Sequence, residues 1–177
     1  MAQVVFLRGV NVGGHKTFQP SLLAKQLSAL DVVNVGAAGT FVVRKPISQS
    51  RLRAELLSRL PFDTEIMICS DRDVTSLASE DPFRDEPSGT DIVRFVSLLA
   101  KRPRTLPSFP LVLPSDGEWL MKVIDARDRF LLGLYRRQMR AISYLGQIDK
   151  RFGAPATTRN WNTIVALAKV LRGSHSD

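Results

Sequence analysis

Gln3-Val4-Val5-Phe6-Leu7-Arg8-Gly9-Val10-Asn11-Val12-Gly13-Gly14-His15-Lys16 begins as a strand and ends as a loop. The first five residues are a near-continuous apolar run of strand length, rich in β-branched and aromatic side chains, as expected of a strand buried on both faces. Arg8 follows at the strand's C-terminal end, where a long cation can leave the core while its stem packs on apolar surface. Gly9, Gly13 and Gly14 permit positive φ and close approach to the backbone, and Asn11 can bond locally or face a ligand. The loop has neither the Gly-Lys-Ser/Thr ending of a P-loop nor Gly-x-Gly-x-x-Gly, so it is not a standard nucleotide cradle.

Downstream, Pro20 fits a first helical turn and Leu23, Leu27 and Leu30 recur at helical spacing. Asp31–Val35 reads as a strand, Gly36–Gly39 as a tight connection and Thr40–Arg44 as another strand. Ser48 or Ser50 caps a helix carrying Leu52, Leu56, Leu57 and Leu60, and Thr64–Cys69 is a fourth strand. The order is β-α-β-β-α-β, the pattern of a ferredoxin-like lobe over residues 1–80. Ser70 with Asp73 predicts a short helix to about Glu80. The acidic, proline-containing segment Asp81–Gly89 then links to a second mixed α/β lobe, 90–177.

That second lobe is expected to hold strands at Asp91–Leu99, Glu118–Ile124 and Arg129–Tyr135. Pro103, Pro107, Pro110 and Pro114 punctuate the stretch between the first two. C-terminal helices follow, one carrying Ile142, Leu145, Ile148 and Phe152 and a last one carrying Ile164, Val165, Ala168 and Leu171. The last helix is expected to pack back on the first lobe, so that the whole also counts as one compact α+β domain, 1–177.

The formal charge of +8 is uneven. Residues 1–90 hold ten Lys/Arg and ten Asp/Glu, whereas residues 91–177 hold fifteen and seven. A basic half attracts polyanions by counterion release, with Lys101, Arg102, Arg104, Arg136, Arg137, Arg140, Lys150 and Arg151 as the phosphate contacts of a nucleic-acid reading. No apolar run has the length of a membrane span, and the N-terminus enters a strand directly, which gives a cytoplasmic expectation. The lone Cys69 lies in an apolar strand and reads as a small buried hydrophobe. The histidines are His15 and His175, and no metal cluster, cofactor motif, nucleophile triad or paired carboxylate stands out.

The densest run of side-chain donors is Ala156-Thr157-Thr158-Arg159-Asn160-Trp161-Asn162-Thr163, just before the last helix. It reads as a helix start in which Thr158 or Asn160 caps the amides and Trp161 packs inward; the same features also suit an anion. With Leu7-Arg8-Gly9-Val10-Asn11-Val12-Gly13-Gly14 near the start and Gly153 followed by this run near the end, the chain resembles the bacterial domain-of-unknown-function family number 1697. The resemblance implies a cytoplasmic α+β protein of ferredoxin-like character and implies no activity. Where many relatives have Gln-Ser-Gly-Asn before an apolar strand, this chain has Ala37-Ala38-Gly39-Thr40.

These readings define the expected sites. An anionic small molecule or nucleotide is held by Arg8, Asn11, Gly13 and Gly14 of the loop and by Arg159, Asn160, Asn162 and Thr163 of the helix start. Nucleic-acid binding through the basic half is the first alternative. An enzyme using His15 as acid/base is the second. A partner chain pairing along the Pro103–Pro114 segment is a further one.

Overall fold

The computed structural model describes residues 1–11 and 14–173. The chain is mixed α+β with two antiparallel sheets. It divides into two units, one comprising Met1–Glu80 with the residues from Asn162 onward and the other Asp81–Trp161.

In the first unit β1 (Gln3–Leu7) is flanked by β3 (Thr40–Val43) and β4 (Ile66–Ser70), and β2 (Val32–Asn34) lies outside β3, giving the order β2-β3-β1-β4. One face of this sheet, Val5, Leu7, Phe41, Val43, Ile66 and Ile68, packs with Leu23 and Leu27 and with Leu52, Leu56 and Leu60. The side chains of opposite parity, Val4, Phe6, Val42, Met67 and Cys69, are buried as well. Double burial is why β1 reads as a continuous apolar run instead of an alternating one.

Helix α1 (Pro20–Gln26) begins with proline at its first position and stops sooner than the leucine spacing predicts. Ser28–Leu30 tightens into a 3-10 turn, and Asp31 is left-handed at φ 52°. Leu27 stays in the core without a further α turn. Ser48 caps α2 (Gln49–Arg59) by accepting from the Arg51 N–H at 3.2 Å. Ser70 and Asp73 form the expected capping box at the start of α3 (Asp71–Ser79), which follows β4 without a loop.

The second unit holds β5 (Ile92–Leu99), β6 (Leu111–Leu113), β7 (Met121–Arg127), β8 (Phe130–Arg136) and β9 (Ala156–Asn160) in the order β6-β7-β8-β5-β9. Two of these strands are absent from the sequence reading. Leu111–Leu113 lies between Pro110 and Pro114, and it pairs only on the β7 side, an edge position that tolerates neighbouring prolines. Gly133 sits mid-strand under the Phe95 ring, where an added Cβ would lie 2.3 Å from Phe95 Cζ, so the ring occupies the space of the missing side chain. The single helix predicted over Ile142–Phe152 is two, α4 (Met139–Leu145) and α5 (Ile148–Phe152), broken at Gly146. Ile148 and Phe152 pack on Phe95, Leu99, Met121, Val123 and Leu131. The last helix, α6 (Trp161–Gly173), buries Ile164, Leu167, Ala168 and Leu171. No described helix is long and apolar enough to cross a membrane.

Candidate functional site

The glycine loop is held by its own polar groups. The Arg8 N–H donates to the Glu65 carbonyl at 3.0 Å and the Thr64 hydroxyl donates to the Arg8 carbonyl at 2.5 Å, which anchors the end of β1. Beyond it Gly9, Asn11, Gly14 and Lys16 all have positive φ, between 47° and 76°. Asn11 tolerates that geometry, and its side chain then ties the loop together. Asn11 Nδ2 donates to the Ala37 carbonyl at 2.9 Å, Oδ1 accepts from the Phe18 N–H at 2.9 Å, and its own N–H donates to the Lys16 carbonyl at 3.1 Å.

The turn that Asn11 grips needs Gly39. At φ 80°, a Cβ there would stand 2.7 Å from Val10 Cγ2 and 2.9 Å from Leu7 Cβ, while the Gly39 carbonyl accepts from the Leu7 N–H at 2.8 Å. Within Ala37-Ala38-Gly39-Thr40, the glycine therefore makes the close approach to Leu7 and Val10, and Thr40 pairs with Phe6 of β1. His15 is exposed and makes no ion pair among the described residues. Gly13 and the distal His175 lie outside the described residues.

The donor-rich C-terminal run is not a helix start throughout. Ala156–Asn160 is the edge strand β9, and α6 begins only at Trp161. Pairing with β5 engages one side of its backbone, with Thr158 opposite Ser97 and their hydroxyl oxygens 2.6 Å apart. Strand alternation then buries Thr157 and Arg159 and leaves Asn160 exposed. Arg159 Nη1 donates to Thr157 Oγ1 at 2.7 Å and to the Thr158 carbonyl at 3.0 Å. Burial lowers its guanidinium pKa to about 10, so it remains cationic at neutral pH. Trp161 is buried edge-on to Phe83 at 5.1 Å, a packing role. Of the expected ligand residues, Arg8, Asn11, Gly14, Asn162 and Thr163 belong to the first unit, and Arg159 and Asn160 to the second.

A cleft of about 450 Å³ in the second unit gathers cations from separate segments. Lys101, Arg102, Arg104 and Thr105 come from the β5–β6 connection, and Lys150, Arg151 and Gly153 from the end of α5; among the described residues no acid lines it. Arg102 pairs with Asp128, and the Arg151 guanidinium donates to Gln147 Oε1 at 3.1 and 3.3 Å. Lys101, Arg104 and Lys150 are exposed and have no ion-pair partner among the described residues. Phe152 is 4% exposed, so the lining offers cations without an aromatic stacking face.

The other arginines of the basic half are placed differently. Arg136 lies over the Trp119 ring at 4.2 Å, donates from Nε to the Trp119 carbonyl at 2.7 Å, and faces Asp91 and Glu118 at 3.4 Å. Arg137 Nε donates to the Thr90 carbonyl at 2.8 Å, and Arg140 is exposed on α4. Charge counting marked all eight cations alike; the convergence of five of them is a property of the fold.

Residues 1–108 match the sequence profile described as Protein of unknown function (DUF1697). The chain belongs to this family. The DUF1697 match takes in the glycine loop, the Gly39 turn and the cations of the β5–β6 connection, and it ends before α5. No curated protein matches the chain. In fold, this DUF1697 member is similar to a conserved bacterial protein from Streptococcus pneumoniae, with TM-score 0.59 and 15% identity over 96% of this chain and 98% of that one.

Proposed function

We propose that the second unit binds nucleic acid through its phosphate backbone, in the cleft between the β5–β6 connection and the end of α5. One observation carries this reading: Lys101, Arg102, Arg104, Lys150 and Arg151 converge on one cleft that no acid among the described residues lines. Chains of phosphates meet such a surface with release of counterions, and without an exposed ring there is no means of stacking bases. The binding is therefore indifferent to sequence, and it goes with a cytoplasmic location. The test is fluorescence anisotropy with a labelled oligothymidylate at rising salt, comparing wild type with Lys101→Gln/Arg104→Gln/Lys150→Gln. Wild type binds at low salt, and the triple variant binds far more weakly. Absence of binding by wild type, or equal binding by the two, removes the reading. Competition by a mononucleotide as strong as by the oligomer reassigns the cleft to a small anion.

The small-anion reading of the first unit is a separate proposal, resting on Arg8 at the mouth of a loop in which Gly9 and Gly14 leave open space beside the backbone. Calorimetric titration with nucleotides and sugar phosphates, repeated on Arg8→Ala, tests it. We also infer that the first unit is a ferredoxin-like lobe. This is supported by the order β1-α1-β2-β3-α2-β4, the strand order β2-β3-β1-β4, and the packing of both helices on one sheet face.

A further inference from the structure

A groove of about 540 Å³ in the first unit lies between the end of α1, the Pro46–Ser48 segment and α2. Its apolar side is Leu27, Leu30, Pro46 and Ile47, three of which also pack on the core of the unit. Its polar side is Arg51, Glu55 and Arg59, spaced four residues apart on α2 and hence on one helix face. The walls are fixed from behind. Gln3 Nε2 donates to the Ile47 carbonyl at 2.6 Å, the Lys45 N–H donates to the Leu30 carbonyl at 3.1 Å, and the Ser48 cap sets the first turn of α2.

The charges on that wall do not cancel. Arg59 pairs with Glu55 and also donates to its carbonyl at 3.1 Å, so these two neutralise each other. The Arg51 guanidinium has no partner among the described residues and leaves one net positive charge at the edge of an apolar groove. We propose that this groove binds a small amphipathic carboxylate, its head on Arg51 and its apolar body against Leu27, Leu30, Pro46 and Ile47. A planar guanidinium matches a carboxylate in a two-pronged geometry, and a groove of this volume encloses a drug-sized molecule better than a helix or strand of a partner.

Phenylbutyrate is the probe and phenylbutanol its neutral counterpart. Titration followed by amide shifts in nuclear magnetic resonance shows saturable binding of the acid, with shifts at Leu27, Ala29, Ile47 and Arg51. Arg51→Gln weakens it by about tenfold, the size of one charge-assisted hydrogen-bond pair, and Arg51→Lys restores part of the loss. Ala29→Trp, at an exposed lining position, fills the groove and abolishes binding while the circular dichroism melt stays in place. Lys101→Gln/Arg104→Gln/Lys150→Gln binds the probe like wild type, which separates this site from the basic cleft. Three results overturn the proposal: no saturable binding by wild type, equal binding of the alcohol and the acid, or an Arg51→Gln variant indistinguishable from wild type.

Discussion

The glycine loop of the first unit and the basic cleft of the second are both rich in polar groups, and they use them in opposite ways. In the loop, the Asn11 amide and carbonyl are engaged by Ala37 and Phe18, and Gly9 and Gly14 serve left-handed backbone. In the cleft, Lys101, Arg104 and Lys150 face solvent with no ion-pair partner among the described residues. A dense run of donors in a sequence thus marks a place where the chain needs hydrogen bonds, which it often supplies to itself. Cations are different, because a lysine or arginine on a loop can stay unpaired in water at little cost. Their convergence without carboxylates is the stronger sign of an anionic partner.

This contrast can be broken most forcefully at Gly39. Replacing it by alanine adds a Cβ against Val10 and Leu7 at a left-handed residue, and we expect a loss of roughly 3 kcal/mol in urea unfolding. A loss under 1 kcal/mol would mean that the turn is not the strut of the loop. The cleft variant Lys101→Gln/Arg104→Gln/Lys150→Gln comes next. Its affinity for oligothymidylate at low salt should fall on the order of a hundredfold, and the log–log salt slope should flatten by about 2, as for three lost phosphate contacts. Its unfolding midpoint should not move, since these side chains support nothing else.

Asn11 sharpens the comparison from the other side. Asn11→Ala should cost roughly 2 kcal/mol by losing both side-chain bonds at positive φ, and Asn11→Gly about half as much, because glycine keeps the backbone geometry. Neither should alter oligonucleotide binding, since Asn11 does not line the cleft; a loss of that binding in a variant of normal stability would put the loop in the nucleic-acid site.

The smallest effect concerns Arg159. Its folded-state pKa of about 10 lies below the ordinary arginine value because the guanidinium is buried, so the folded protein gives up this proton first. Below pH 10 the cost of burying the charge is fully present. Above about 10, until the unfolded chain has also lost this proton, the unfolded chain binds more protons, and the contribution of Arg159 becomes more favourable as pH rises. The stability gap between wild type and Arg159→Met should therefore shift toward wild type across that window and stay flat at neutral pH. The subtraction removes the alkaline titration of the other groups.

The sequence by itself determined the elements whose signals are local. β1 to β4, α2 and the capped α3 follow from apolar runs, leucine spacing and the Ser70–Asp73 box, which act within a few residues. The charge asymmetry and the fate of Cys69 were legible for the same reason. Only the tertiary structure decided that Ala156–Asn160 is a strand, since its polar side chains give no strand signal until Ser97 and the β5 backbone stand opposite. It alone showed that Asn11 staples the loop, because its partner Ala37 is far along the chain. It likewise drew Lys101, Arg102 and Arg104 together with Lys150 and Arg151. Periodicity records which face of a segment is buried, whereas a site is made of contacts between segments, which no local pattern encodes.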